Sequence, residues 1–186
     1  MVDAMDVDQE LIDLARAGDP RSMDELLTII RPQVLRRCAR LLPYRQDAEE
    51  AAQDALLSIS THLKDYEGRG PFLGWVTVIA SNSARQTYRT LKRRFAERAV
   101  DELPNNPDPR TTSVIAGSHL DLLDAIEGLE RTHPTAVEAF VLRDLGSLPY
   151  DDIAELTGTP VGTVKARIHT ARGFVRERLG GDADNF

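Results

Sequence analysis

Apolar residues recur every three or four positions along most of the chain, which is the spacing that places them on one face of an α-helix. In the first half this pattern predicts four helices, which begin near Asp8, Asp19, Gln46 and Pro71. Prolines stand at several predicted starts, where their fixed φ and missing N–H suit the first helical turn. Neither β-strand alternation nor an internal repeat is present, so the pattern predicts an all-α fold.

The second predicted helix contains a proline in its interior. Its apolar stripe runs from Met23 to Leu42, on both sides of Pro32. A proline there removes one backbone hydrogen bond, and its ring crowds the preceding turn. We therefore expect a kink or a short break before Val34.

The third predicted helix, from Gln46 to His62, separates small apolar residues from acidic ones. The inward face holds Ala48, Ala51, Ala52, Ala55, Leu56 and Ile59. The outward face is acidic and holds Asp47, Glu49, Glu50, Gln53 and Asp54. Side chains one residue apart point in different directions on a helix, which favours a docking face over a metal or acid–base site.

The fourth predicted helix, from Pro71 to about Arg98, is apolar in its first half and basic in its second. Aromatic residues are interleaved with glycines before this basic half, a combination suited to holding an unstacked base and tracking a single strand. We expect Trp75 to lie in the core, and Tyr88 is the better candidate for exposure. The amide of Asn82 could bind a base edge or cap a neighbouring helix.

The helical pattern fails from Glu102 to about Ser118, where three prolines and two asparagines crowd together. This composition predicts a linker. Four shorter helices are predicted beyond it, at about 118–129, 134–144, 149–157 and 160–179. The chain is therefore expected to form two small helical domains, 8–98 and 118–180, joined by a flexible linker over 99–117.

The segment from Leu148 to Arg172 has the pattern of a helix-turn-helix. A short helix begins at Pro149, Gly158 permits a tight turn, and a second helix begins at Pro160. In this motif the second helix enters the major groove, with its outward face toward the base edges. That face carries Lys165, Ala166, His169, Thr170 and Arg172. A helical hairpin with a charged surface is the structural alternative.

The net charge of −7 is unevenly distributed over the 186 residues. Residues 85–98 hold six basic side chains and one acid, and residues 161–179 hold five and one. Between them, residues 99–130 hold seven acids and one arginine. Two basic stripes therefore flank an acidic connector, which makes a nucleic-acid partner compatible with a negative total charge.

Enzyme chemistry is not indicated. The four histidines fall on separate elements, no phosphate-binding glycine loop is present, and no metal site or cofactor is expected. The lone cysteine, Cys38, excludes an intramolecular disulfide and fits a reducing compartment. No apolar run is long enough to span a membrane and no signal peptide is recognisable, so we expect a cytoplasmic protein without membrane insertion.

Taken together, these segments resemble the extracytoplasmic-function group of bacterial sigma factors over about residues 11–179. The region-two pattern is similar to DAEEAAQDALLSI (47–59) and GRGPFLGWVTVIASN (68–82), and the region-four pattern to AFVLRDLGSLPYDDIAELTGTPVGTVKARIHTAR (139–172). The resemblance implies an alternative sigma factor that binds core RNA polymerase, recognises promoter DNA and helps to open it. A free-standing helix-turn-helix regulator of duplex DNA is the alternative, but it would explain only the second half.

The resemblance also implies a division of roles among the residues. The acidic face (Asp47, Glu49, Glu50, Gln53 and Asp54) would dock on the clamp helices of the polymerase's beta-prime subunit. The minus-10 strand would bind Tyr66, Arg69, Asn82, Arg85, Tyr88, Arg89, Lys92 and Arg93. The minus-35 element would bind Thr163, Lys165, Ala166, Arg167, His169, Thr170 and Arg172.

Further partners are implied in the same way. Region four would meet the beta flap of the polymerase, and an anti-sigma protein would hold the chain inactive. The sequence also departs from the family. Ala51 and Ala52 replace larger aliphatic residues, and Ala166 and Thr170 stand where many relatives have hydrogen-bonding or basic side chains. We therefore do not assign the promoter sequence of its relatives to this chain.

Overall fold

Every regular element in the described residues, 7–101 and 114–179, is helical; side chains are described for residues 7–94 and 120–179 of this computed structural model. The first half contains α1 to α4 and a short 3-10 turn after α3. The second half contains α5 to α8 and one π-helical turn after α6. The α-helices are Gln9–Arg16, Pro20–Leu41, Arg45–His62, Phe72–Asp101, Val114–Thr132, Pro134–Phe140, Tyr150–Thr157 and Val161–Arg178.

Helix α2 begins where the sequence predicts and continues through its internal proline. The Asp19 side chain caps the helix by accepting a 2.8 Å hydrogen bond from the Ser22 backbone N–H. Of the expected kink or short break before Val34, the break does not occur, because the helix is continuous to Leu41. Ile30 and Val34, on either side of the proline, are fully buried. Their packing outweighs the loss of one backbone hydrogen bond.

Helix α3 lies against α2 and α4 through its alanines. Ala48, Ala51, Ala52 and Ala55 are all buried, as is Ile59 one turn later. Small side chains permit close approach of the neighbouring helices. The acidic residues of α3 are consequently left on the opposite face.

Cys38 lies in the middle of this core. It is fully buried, and burial raises the pKa of its thiol to about 12. The side chain is therefore a protonated, packed group rather than a reactive nucleophile.

The second half forms the predicted helix-turn-helix. Gly158 adopts the left-handed conformation, with φ of 58°, at the end of α7, and Pro160 precedes α8. Ile153, Val164 and Ile168 pack in one cluster beneath the two helices. Glycine is suited to this turn because it has no Cβ to strain a positive φ.

The predicted linker lies mostly outside the described residues. Helix α4 continues to Asp101 and α5 begins at Val114, so both helices extend further into it than the pattern indicates. The two halves pack against each other, since the main core cluster contains buried residues of both. Within the described part of the chain, no helix has the length and apolar character needed to cross a membrane.

Candidate nucleic-acid and polymerase interfaces

The outer face of α3 is acidic and accessible. Glu50, Gln53 and Asp54 are exposed, whereas Asp47 and Glu49 are half-buried. Burial, reinforced by the charge of Glu50, raises the pKa of Asp47 above its ordinary value. Glu49 accepts a 2.7 Å hydrogen bond from Arg45, which ties this carboxylate to its own helix.

An exposed leucine belongs to the same face and is absent from the sequence-based set. Leu57 is 67% exposed, the most exposed large hydrophobic side chain in the described residues. It follows Glu50 by seven residues and Gln53 by four, so the three share one side of the helix. This spacing is visible in the sequence, but an apolar residue on an acidic face is easily assigned to the core. An exposed leucine on a polar helix face suits a protein contact.

The aromatic residues before the basic half of α4 form a packed cluster. The ring of Tyr66 lies 5.5 Å from that of Phe72 and 5.3 Å from that of Trp75. The hydroxyl of Tyr66 donates a 2.9 Å hydrogen bond to the Gly70 carbonyl, and the residue is 7% exposed. Trp75 is part of this cluster, in agreement with the core placement. Arg69 is exposed and forms an ion pair with Glu67 beside it.

Part of the basic half of α4 faces α5. Asn82 accepts a hydrogen bond from Arg85 on its own helix. Arg85 and Arg89 both form ion pairs with Glu130, and Lys92 forms ion pairs with two further acids of α5. Arg93 is exposed. A cleft of about 450 Å³ remains here, lined by Asn82, Ser83, Arg85, Gln86, Arg89 and Glu130.

The expectation that Tyr88 is exposed is wrong. Its exposure is 6%, because Leu123 and Ile126 of α5 lie over the same part of α4. Burial, together with a hydrogen bond to Asp124, raises the pKa of Tyr88 far above its ordinary value. Its ring is covered in this arrangement of the two halves.

The recognition helix α8 presents the outward face that the sequence predicts. Val164 and Ile168 are buried. The exposed residues of the predicted set are Thr163, Lys165, Ala166, His169, Thr170 and Arg172.

Two arginines on α8 have local partners. Arg167 is half-buried and its Nη1 donates a 3.1 Å hydrogen bond to the Thr159 hydroxyl, so it supports the turn of the motif. Arg172 Nε lies 3.1 Å from both carboxylate oxygens of Asp144. That hydrogen bonding raises the pKa of Arg172, whose guanidinium is bound by the π-helical turn after α6.

Tyr150 is a supporting residue that the sequence-based set lacks. Lys165 Nζ lies 5.6 Å from the centre of its ring, and the Arg143 guanidinium lies 4.6 Å from it. A cation over an aromatic face is attracted by the ring's quadrupole. Tyr150 therefore helps to hold the lysine at the edge of the recognition face.

Two family models match the chain, in the order that the motifs indicate. Sigma-70 region 2 matches residues 26–94, and Sigma-70, region 4 matches residues 120–175. The RNA polymerase sigma-H factor of Pseudomonas aeruginosa is 29% identical over 92% of this chain and 93% of its own. The ECF RNA polymerase sigma-E factor of Haemophilus influenzae is 26% identical over 92% of this chain and 95% of its own. The chain belongs to the extracytoplasmic-function sigma factors of the sigma-70 family.

This membership confirms the resemblance seen in the sequence and the prediction that the protein is not an enzyme. It is an alternative sigma factor, whose partners are RNA polymerase and promoter DNA. The region 2 match covers α3 and most of α2 and α4, and the region 4 match covers α6, α7 and most of α5 and α8. The solved structure of CnrH in complex with the cytosolic domain of CnrY shares the fold. Its TM-score is 0.53 at 22% identity, over 96% of this chain and 99% of that one.

Proposed function

We propose that this sigma factor attaches to the polymerase through α3, captures the minus-10 strand with α4 and binds the minus-35 element with α8. The observation that carries the proposal is the separation of three surfaces: an acidic face on α3, a basic face on α4 and a recognition face on α8. The functional units are residues 8–98 and 118–180, with a linker over 99–117. Since promoter DNA and RNA polymerase are in the bacterial cytoplasm, we place the action of this sigma factor there.

The docking surface on α3 combines charge with one apolar contact. Glu50, Gln53 and Asp54 provide polar and acidic groups that a basic partner surface would attract, which favours encounter and orientation. Leu57 provides area that a partner can remove from water. The proposed partner surface is the clamp helices of the beta-prime subunit.

The DNA surfaces would act through binding energy alone. Residues of α4 and its preceding loop would hold unpaired bases and their phosphates, which offsets the cost of unstacking. The exposed side chains of α8 would contact base edges and phosphates of the minus-35 duplex, while region 4 meets the beta flap. The polymerase then makes the RNA.

The first test is binding of the labelled, full-length chain to core RNA polymerase, measured by fluorescence anisotropy. The docking variant carries Asp47→Lys, Glu50→Lys and Asp54→Lys. The control carries the same charge change at exposed acids elsewhere, with Asp24→Lys, Glu25→Lys and Glu177→Lys. Tight binding that only the docking variant loses supports the proposal. No polymerase binding, with strong salt-dependent binding to duplex DNA, would identify a free-standing regulator instead.

We also infer an anti-sigma partner, on the basis of the family resemblance. Affinity capture of the tagged chain from its native cells should recover core polymerase and, before induction, a stoichiometric inhibitor. Recovery of polymerase without such an inhibitor under all growth conditions would contradict this inference.

A further inference from the structure

One side of the recognition helix α8 carries methyl groups and no long side chain. Ala166 and Thr170 are exposed and four positions apart, so they are neighbours along one side of the helix. Gly162 and Gly173 extend this side by about one turn in each direction, and both are exposed. A Cβ added at either glycine would meet no atom within 4 Å. We call these four residues the methyl strip.

The arginines of the predicted DNA-binding set are already bound by protein groups. Arg167 Nη1 donates a 3.1 Å hydrogen bond to the Thr159 hydroxyl. Arg172 Nε lies 3.1 Å from each carboxylate oxygen of Asp144. A bidentate contact from arginine or lysine to guanine is the commonest specific contact with DNA, and an arginine needs its planar fork for it. These two arginines are therefore poorly placed to read bases beside the methyl strip.

The hydrogen-bonding groups of the outward face lie along the edge of the methyl strip. Lys165 and His169 are exposed and also four positions apart. The Lys165 Nζ lies 5.6 Å from the centre of the Tyr150 ring, which holds this cation toward the edge of the face. The face thus separates polar reading groups from apolar ones, and each kind can meet a different base.

The methyl strip matches one chemical feature of the major groove. Thymine displays its C5-methyl group there, and the methyl groups of alanine and threonine make apolar contact with it. The amino group of adenine or cytosine opposite a methyl group would lose its hydrogen bond to water without replacement. Residues 166 and 170 are about 6 Å apart along the helix axis, which corresponds to about two base-pair steps.

We propose that the methyl strip selects thymine in the minus-35 element, through contact of the Ala166 and Thr170 methyl groups with thymine C5-methyl groups. The inference rests on the proposed binding of the minus-35 duplex by α8, and it adds the class of base that the helix reads. Promoter DNA is a partner of the family to which the chain belongs. The short side chains let the backbone of α8 approach the floor of the groove, where these methyl groups lie.

The test uses holoenzyme assembled from core polymerase and the full-length chain. Bound promoters are first selected from a library with a randomised minus-35 element, which should enrich thymine at two positions. Each selected thymine is then replaced by deoxyuridine, which lacks only the C5-methyl group. Holoenzyme affinity, measured by anisotropy, should fall about 3–5-fold for each contacted thymine. Deoxyuridine in the spacer outside the element is the control and should change nothing.

Matched variants assign the effect to single methyl groups. Thr170→Ser removes the methyl group and keeps the hydroxyl, so this variant should lose sensitivity to deoxyuridine at one of the two positions. Thr170→Val keeps a methyl group and removes the hydroxyl, so its sensitivity should match that of the wild type. Ala166→Gly should lose sensitivity at the other position, and circular dichroism verifies that it is folded. A double-mutant cycle of variant and base gives each coupling.

The same measurements separate the methyl contact from the role of α8 itself. Selected elements without thymine, or equal sensitivity to deoxyuridine in the wild type, Thr170→Ser and Ala166→Gly, would overturn the proposal. If Lys165→Glu weakens binding but deoxyuridine does not, only the methyl contact fails. If no minus-35 preference is selected and Lys165→Glu binds like the wild type, the proposed role of α8 fails as well.

Discussion

Truncating Leu57 should weaken polymerase binding while leaving the fold intact. Full burial of a leucine side chain contributes about 1.5–3 kcal/mol. Leu57 is 67% exposed in the free chain, so about two thirds of that amount remains available to a partner. Leu57→Ala should therefore cost about 1–2 kcal/mol of binding free energy, or about 5–30-fold in Kd. The free energy of unfolding should change by no more than about 0.5 kcal/mol, because the site is exposed and both residues favour helix.

The assay is anisotropy titration of core polymerase, paired with chemical denaturation of the free chain. Leu14→Ala is the matched control, since Leu14 is 47% exposed but lies on α1. Ile59→Ala is the positive control for lost stability. Ile59 is fully buried, so its truncation should lower the free energy of unfolding by about 2–5 kcal/mol. Unchanged polymerase affinity in Leu57→Ala, or an equal loss in Leu14→Ala, would refute the assignment of Leu57 to the docking face.

Three other predictions concern the thiol, Asp124 and the recognition helix. Because burial raises the pKa of Cys38 to about 12, Ellman's reagent at pH 8 should label it only as fast as the chain opens; rapid labelling of the native protein would contradict this burial. Burial alone would raise the pKa of Asp124, but hydrogen bonds from Lys92 and Tyr88 outweigh it and lower that pKa below 3.8. The contribution of Asp124 to the contact between α4 and α5 is thus complete above pH 3.8 and is lost as the pH falls through its lowered pKa. The radius of gyration should therefore rise in acid, and Asp124→Asn should remove part of that pH dependence. Lys165→Glu should weaken holoenzyme binding by about 1–3 kcal/mol on a promoter selected by the wild type, and equal binding of both proteins to it would show that the lysine is misplaced.

Much of the fold follows from local pattern. The helices near Pro20, Gln46, Pro71 and Pro134 are where the spacing of apolar residues predicts them, because one helix face must be buried whatever it packs against. The helix-turn-helix is equally local, since Gly158 supplies the left-handed turn and Pro160 marks the next start. The acidic face of α3 follows from the same periodicity.

Other features were settled by contacts between distant segments. Pro32 remains in a continuous helix because the neighbouring helices bury residues on both sides of it. Tyr88 is covered by residues of α5, a partner that periodicity does not reveal.

The sequence by itself therefore determined the helices, their inward faces and the family. It also showed a basic stripe on either side of an acidic one. Only the tertiary structure decided that the acidic stripe pairs with the first basic stripe, through Lys92 and Glu127 among others, and leaves the second exposed. The physical reason is that periodicity reports which face of a helix is buried, whereas the choice of a partner depends on how two helices far apart in the chain are brought together.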